Sequence, residues 1–437
     1  MRNEFLLSLA EINFIYPNFL GLEFIQYKSF LKRNYLSYDN TSTLIESVNA
    51  ALMNIPYYQQ MDIKNINSVS AFENTIPFID KDIVMKSWES FLLPRMVKSK
   101  VVEGETGGTW GESLKLIIPK NRHVVELNTI FSMWEKAGWK GDIRAVIRNK
   151  HLKPNQVFSV DPIKKEVIFD GFNTDDVYYE KIYNVLKLYS IQFIHAYPSS
   201  AYQFSVFLKK KNKDTSFIKS FLCGSEGLTE LQRQLISKDL QMSVYNWYGH
   251  SEKLVLGGPC KHNDAIHVEP TYGYFELIDN QGNNIKKEGQ VGEIVGTSLH
   301  NPYMPMVRYR TGDFAEYAGG YCPHCKRYLP LIRNIQGRRD KNKIYLSDGT
   351  YVSITALNLH SDLNTYINGM QYVQNRKGFL EIYLIKGEGF SDTVESRFQE
   401  HFNLSFADKC EYEIIYTEKL IKEKNGKFLP LKQLIED

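Results

Sequence analysis

From Leu44 to Leu52 apolar side chains recur at helical spacing, and Pro56 predicts the end of that helix. The whole stretch 1–60 reads as helical segments rich in aromatics. From 121 to 220 apolar runs alternate with polar ones, which predicts strands at Ile143–Ile147 and Val167–Phe169. A helix is expected after His195-Ala196-Tyr197-Pro198, with Ser199 or Ser200 as its cap. Further strands are expected at Phe217–Leu222, Val244–Trp247, Val268–Ile278 and Val291–Thr297, with a helix capped at Thr229 between the first two. Strands alternating with helices imply an α/β architecture with parallel pairing. Past Asp340 the pattern changes. Strands at Lys343–Leu346, Gln371–Val373 and Leu380–Ile385 and helices at Ile354–Leu363 and Asp392–Phe402 predict a compact α+β unit. The expected division is a large domain over 1–339 and a small one over 340–437, with a hinge near Asp340-Lys341.

The bulk numbers narrow the classes. At 437 residues the chain suits two or three domains, and 43% hydrophobic content is enough for full cores. A net charge of +3 argues against nucleic-acid binding by a basic face, and Lys209–Lys213 reads as a solvated helix end. Five cysteines do not make a disulfide framework, and they favour a reducing compartment. Glu4 and Glu11 bracket Phe5-Leu6-Leu7 too closely for a signal peptide, and no apolar run is long enough to span a membrane. The expected location is the cytoplasm.

Several short polar or Gly-bearing blocks interrupt the apolar runs. Gly104-Glu105-Thr106-Gly107-Gly108-Thr109-Trp110-Gly111 has four glycines and two threonines, so its backbone N–H groups can curl around an anion. It lacks the Gly-Lys-Ser/Thr ending of a P-loop. Cys223-Gly224-Ser225-Glu226 follows a predicted strand, as a nucleotide pocket at a parallel strand's carboxyl end requires. Tyr248-Gly249-His250-Ser251-Glu252 offers an aromatic for purine stacking and a carboxylate oxygen for Mg²⁺. Tyr309-Arg310-Thr311-Gly312-Asp313 ends in a carboxylate able to accept two hydroxyls. Gly337-Arg338-Arg339-Asp340 and Lys424-Asn425-Gly426-Lys427 complete the series.

In this order the blocks resemble the adenylate-forming superfamily, and within it the phenylacetate–coenzyme A ligases and their relatives in capsular polysaccharide biosynthesis. The resemblance covers roughly residues 55 to 430. It implies a large domain with parallel and mixed sheets and a small mobile α+β lid. It implies ATP and Mg²⁺ as cofactors, with Thr106, Gly107, Gly108, Thr109 and Gly111 on phosphate. Gly224, Ser225, Glu226, Tyr248, Gly249 and Ser251 would line the adenine. Asp313 would hold the ribose, and Arg338 the ribose or phosphate. Glu252 would hold Mg²⁺, and Lys427 would reach the reacting carboxylate. Tyr197, Trp247 and His250 would meet the acid, and Trp134, Trp139, Tyr197 and Trp247 hint at an apolar or aryl one.

A second constellation is soft. Cys260, His262 or His267, and Cys322-x-x-Cys325 supply the four N/S ligands of tetrahedral zinc. His267, expected to open the strand Val268–Ile278, is favoured over His262, and His324 is the weakest candidate. The Cys322–Cys325 motif is placed after a turn at Gly319-Gly320 and before a short strand at Tyr328–Pro330. Free thiols and a thioredoxin-like redox pair are the alternatives; the latter needs a helix starting at the first Cys. Cys223 reads as a small buried hydrophobe.

The resulting expectation is an enzyme: ATP-dependent activation of a carboxylic acid as its adenylate, then transfer to an acceptor, with coenzyme A as the default. The alternatives are an amide- or ester-forming ligase acting on a sugar or other small acceptor, and a nucleotide-binding protein without turnover. Trp110 and Glu112 in the loop, and the lack of an Arg just after Lys427, feed the last of these. The partners implied are a small acid and a thiol, amine or hydroxyl acceptor.

Overall fold

The computed structural model describes residues 6–7, 21–106, 114–148, 150–153, 155–228, 230–260, 263–336, 343–354, 357, 363, 366–406, 408–421 and 431–435. Gly107, Gly108, Thr109, Gly111, Thr229, His262, Arg338, Lys427, the Asp340-Lys341 hinge and most of the Ile354–Leu363 helix lie outside them.

A hairpin, β1 (Val101–Glu105) and β2 (Lys115–Pro119), precedes the main sheet. That sheet has twelve strands. Its first half contains β3 (Arg144–Arg148), β4 (Ser159–Asp161), β5 (Glu166–Asp170), β6 (Phe193–Ala196), β7 (Ser220–Gly224) and β8 (Ser243–Gly249). Here β5, β3, β6, β7 and β8 run parallel in that spatial order, with β4 antiparallel at the edge. The second half is antiparallel: β9 (Leu256–Cys260), β10 (Asn263–Val268), β11 (Tyr274–Ile278), β12 (Val291–Thr297), β13 (Tyr309–Cys322) and β14 (Arg327–Gln336). It continues from β8 in the order β9, β10, β14, β13, β12, β11. β8 is thus parallel to β7 on one edge and antiparallel to β9 on the other.

Helical crossovers enforce the parallel half. Helices Asp176–Leu188 and Pro198–Lys210 link β5 to β6 and β6 to β7. The two-residue strand period then sorts side chains to two faces. Ala145, Ile147, Val167, Phe169, Ile194, Ala196, Phe221 and Cys223 pack with Ile182, Leu186, Phe204 and Phe207 of those helices. Phe193, Leu222 and Tyr245 face the other way, against Phe131, Met133 and Trp134 of helix Arg122–Lys136.

Several expectations need correction. Neither Ser199 nor Ser200 caps the helix there: it starts at Pro198 after Tyr197, because proline's fixed φ suits the first helical position. Val268–Ile278 is not one strand. Val268 ends β10, Pro270 cannot donate to a ladder, and Tyr274 begins β11, so His267 lies near a strand's end. The segment 316–320 is no turn but the interior of β13, which absorbs its glycines through irregular register with β14. The turn falls at 323–326. The Lys209–Lys213 helix end is as expected, with Lys210 and Lys211 on Asp176 and Lys213 on Glu180.

From 343 on, a second sheet and a second core form. Strands β15 (Lys343–Tyr345) and β16 (Tyr351–Ser353) pair, and β17 (Ile367–Arg376), β18 (Phe379–Lys386), β19 (Glu411–Tyr416) and β20 (Leu431–Gln433) make a four-stranded sheet. Leu380, Ile382 and Leu384 pack on Val394, Phe398 and Phe402 of helix Asp392–Phe406. Its fixed points against the first half include Gln232 donating to the Tyr351 hydroxyl and the ring of His401 set against His151 and Phe172.

Candidate active site

The carboxyl ends of parallel strands are where open α/β sheets collect ligands. Here those ends carry Arg148, Ser225, Trp247 and Tyr248, all half-buried while the strand interiors are closed. β8 delivers Tyr248 and Gly249, and the turn after it carries His250, Ser251 and Glu252. The antiparallel half supplies the other wall, because β13 brings Tyr309 and Asp313 to the same place.

Hydrogen bonds tie the two walls together. The Tyr248 hydroxyl donates to Asp313 Oδ2 at 2.8 Å. Burial and that carboxylate hold the phenol well above its ordinary range, so it stays a donor. Val255 N–H donates to His250 Nε2 at 3.2 Å, which leaves the proton on Nδ1 to be donated to Glu252 Oε2 at 3.1 Å. The Tyr309 hydroxyl donates to Glu252 Oε1 at 3.1 Å. Each Glu252 oxygen therefore accepts from a ring or hydroxyl group of the protein, which fixes the carboxylate's orientation. Both nitrogens of His250 are engaged, so it would meet a substrate by its ring alone.

The Asp313 loop is fixed from beneath. Glu293 accepts from Arg310 Nε at 2.8 Å through Oε2, and from Gly312 N–H at 2.9 Å through Oε1. The Thr311 hydroxyl donates to Ile294 O, and its oxygen accepts from Asp313 N–H. Gly312 sits at φ +73, where a side chain is costly, and that conformation turns Asp313 toward Tyr248. At the hairpin, Thr106 N–H donates to Leu114 O and Leu114 N–H to Thr106 Oγ1, each at 3.0 Å, so Thr106 anchors the base of the glycine-rich loop. Glu226 Oε2 accepts from Ser199 N–H at 3.0 Å, and Asn246 donates to the Glu226 carbonyl, which holds the Gly224-Ser225-Glu226 turn against the end of β6.

Next to this lies an aromatic cluster that sequence reading half-saw. Trp134, His195 and Trp247 form a triangle with ring centroids 5.2 to 5.6 Å apart. Arg148 donates to His195 Nε2 at 2.8 Å and to Ser225 Oγ at 3.1 Å, and its guanidinium lies 4.2 Å from the Tyr197 ring centre. Burial, with Arg148 and Arg144 close by, pushes His195 well below the usual histidine range, so its imidazole is neutral. Arg148, His195, Tyr309 and Glu293 were assigned no role from sequence. A charged residue at the carboxyl end of an apolar strand (Arg148) or inside one (Glu293) was the available signal.

The soft constellation also assembles. Cys260 Sγ and Cys322 Sγ are 3.9 Å apart, and Cys325 Sγ is 3.7 Å from His267 Nδ1. The donor atoms of Cys260, His267 and Cys322 lie within 4.8 Å of one another. Burial, with Lys136 and Arg327 adding to it, lowers His267 to about 3, which keeps the imidazole neutral. Burial pushes the Cys322 thiol up, but N–H groups of Cys325 and His324 aimed at its sulfur win and the net direction is down. The two cysteines flank a turn between β13 and β14, not the start of a helix, so the frame a thioredoxin-like pair needs is missing here. Cys223 is fully buried, and burial raises its thiol far from reactivity.

No protein-family model matches the chain. It is 21% identical over 365 residues to Protein CapK of Staphylococcus aureus, covering 81% of this chain and 78% of that protein. It is 34% identical to phenylacetate-coenzyme A ligase of Pseudomonas putida over 123 residues, a match that spans only 26% of that ligase. Among solved structures, 2-hydroxyisobutyryl-CoA ligase in complex with 2-HIB-AMP and CoA superimposes with a TM-score of 0.61 at 16% identity, covering 90% of this chain and 88% of that one. Its postadenylation state gives 0.55. No described helix is long and apolar enough to cross a membrane. In fold the chain is thus like a CoA ligase, and in sequence it is similar to Protein CapK over most of its length and to phenylacetate-coenzyme A ligase over 123 residues.

Proposed function

We propose that the chain joins a carboxylic acid to ATP, giving an acyl-adenylate and pyrophosphate, and then passes the acyl group to a thiol, coenzyme A being the default acceptor. The observation that carries this reading is the linked set Tyr248–Asp313 and His250–Glu252–Tyr309 at the meeting of the two sheet halves. A carboxylate is a poor electrophile, and two anions must be brought together. Positioning and cationic stabilisation do most of that work. Asp313 would hold the ribose hydroxyls, while Gly224, Ser225, Glu226 and Tyr248 would frame the purine. Glu252, a carboxylate oriented by His250 and Tyr309, would hold a hard cation such as Mg²⁺, which offsets phosphate charge when bound. Thr106 anchors a loop suited to phosphate, and Lys427 would supply the ammonium. Residues 340–437 would act as the lid.

Cys260, His267, Cys322 and Cys325 would hold zinc. Zn–S bonds of about 2.3 Å give tetrahedral edges near ~3.8 Å, close to the spacings found. Four protein ligands leave no open position, so this centre would be structural. The deciding experiment is pyrophosphate release from ATP across a panel of acids, with hydroxylamine trapping of the adenylate. Acid-dependent release that collapses in Lys427→Ala supports adenylation. ATP that neither binds nor turns over with any acid sinks it.

A further inference from the structure

The parallel half presents one row of side chains on the face covered by helix Arg122–Lys136. Val146, His195, Leu222 and Tyr245 lie side by side in register, and two residues further on come Arg148, Gly224 and Trp247. Three properties of this row bear on what it holds.

First, Arg148 is a cation with no counter-ion among the described residues. The buried Arg144, Arg308 and Arg327 close on Glu166, Glu276 and Glu269, while buried Arg122 donates to the backbone carbonyls of Lys253 and Tyr272. Among the described residues Arg148 faces no carboxylate. It spends two of its five N–H groups on His195 and Ser225 and has three left.

Second, two buried donors beside Arg148 are left without acceptors among the described residues. Arginine only donates, so His195 Nε2 must be the acceptor and Nδ1 must carry the proton. That Nδ1 is buried and has no partner among the described residues, and the same holds for Trp134 Nε1. Buried donors are seldom left unmatched, and an acceptor-bearing ligand is one way to match them.

Third, the row is closely packed and ends near the Tyr248–Asp313 wall. A Cβ placed on Gly224 would stand 2.4 Å from the Trp247 ring, so that indole lies directly on the β7 backbone. Trp134 packs 5.6 Å from it. The guanidinium reaches Ser225 at the end of β7, one strand spacing, ~5 Å, from β8 and the Tyr248–Asp313 wall.

Resting on the acid-activating reading above, we propose that the acid is a short dicarboxylate. One carboxylate reacts beside Tyr248, and the distal one is taken by Arg148, with His195 Nδ1–H and Trp134 Nε1–H as further donors. The aromatic rings pack closely, and the arginine at the end of the row selects charge. This replaces the apolar or aryl acid that the tryptophans suggest when read alone.

Calorimetry with the full chain and an ATP analogue tests it, using short dicarboxylates, hydroxy acids and apolar monocarboxylates of matched length. The expected result is that the dicarboxylate binds tightest. Arg148→Met should weaken it about tenfold or more while leaving the monocarboxylates unchanged, and Arg148→Lys should restore part of the loss. Trp134→Phe, which removes the indole donor and part of the packing, should weaken the dicarboxylate a few-fold more than it weakens the monocarboxylates. Tightest binding of an apolar monocarboxylate, an Arg148→Met variant that loses all acids equally, or no dicarboxylate binding at all would overturn the proposal. Dicarboxylate binding that yields no trapped adenylate would leave this site standing and remove the adenylation reading instead.

Discussion

Arg148 and Arg327 belong to one sheet and are treated in opposite ways. In the antiparallel half, Arg327 grips both oxygens of Glu269 at 2.7 and 2.8 Å, with Lys136 on the same carboxylate at 3.3 Å. Burial alone would raise Glu269, but Arg327 and Lys136 pull it down to about 2. Arg308 is closed in the same manner on Glu276, with its other nitrogen on the carbonyls of Glu73 and Ile76. Even so, burial outweighs that arginine and Glu276 rises, since one cation offsets less desolvation than two. In the parallel half Arg148 keeps its charge uncompensated among described residues. Closed pairs fix a fold, while open donors in a half-buried cluster mark where a ligand completes the structure.

The comparison can be broken at several points. The largest effect should come from the soft centre. If zinc sits on Cys260, His267, Cys322 and Cys325, removing it forfeits binding energy on the order of 10 kcal/mol, by precedent of small zinc sites. A chelator should then collapse the melting temperature, and metal analysis should find about one zinc per chain beforehand. A metal-free protein of unchanged stability would contradict the centre. Glu269→Ala comes next. It strands two buried cations and should cost about 3–5 kcal/mol in denaturant unfolding, whereas Arg148→Met should cost far less. Equal losses would erase the distinction between the halves.

Tyr309→Phe should act on rate as well as on stability. It removes one hydrogen bond to the Glu252 carboxylate, of about 1.5–3 kcal/mol, and should slow adenylation about tenfold or more. The smallest effect is a pH slope. Burial, with Arg122 close by, holds His300 down to about 4, and its Nε2–H donates to the Thr271 carbonyl. The unfolded chain binds this proton near pH 6.5 and the folded chain does not, so stability is full above 6.5 and declines as pH falls toward 4. The size is on the order of 1–3 kcal/mol, and His300→Gln should flatten that part of the curve.

Sequence carried much of this but not evenly. Strands β3, β5, β8 and β12 were legible because each is a compact apolar run bounded by polar residues, and the motif order led to the superfamily. Boundaries set by single backbone effects were not. Pro198 took the helix start from the serines, and Pro270 cut an expected strand in two. The length of β13 was hidden by glycines that read as a turn. In the site, Tyr248, Asp313, Glu252 and the cysteines stood out because their blocks are local. Arg148, His195 and Glu293 did not, because their meaning depends on partners 17 to 77 residues away.

β8 gives one more consequence. Its residues Ser243 to Trp247 pair with β7, and Tyr248 and Gly249 pair with β9, so one continuous strand serves both halves. The two halves are therefore joined through this one strand. Exchange of the Tyr245–Tyr248 amides with deuterated solvent should require near-global opening, with protection equal to the whole unit's unfolding free energy. A strand that tethers the ligand wall to the closed half also makes them one cooperative body, so damage at a distant buried pair would surface as faster exchange beneath the active site.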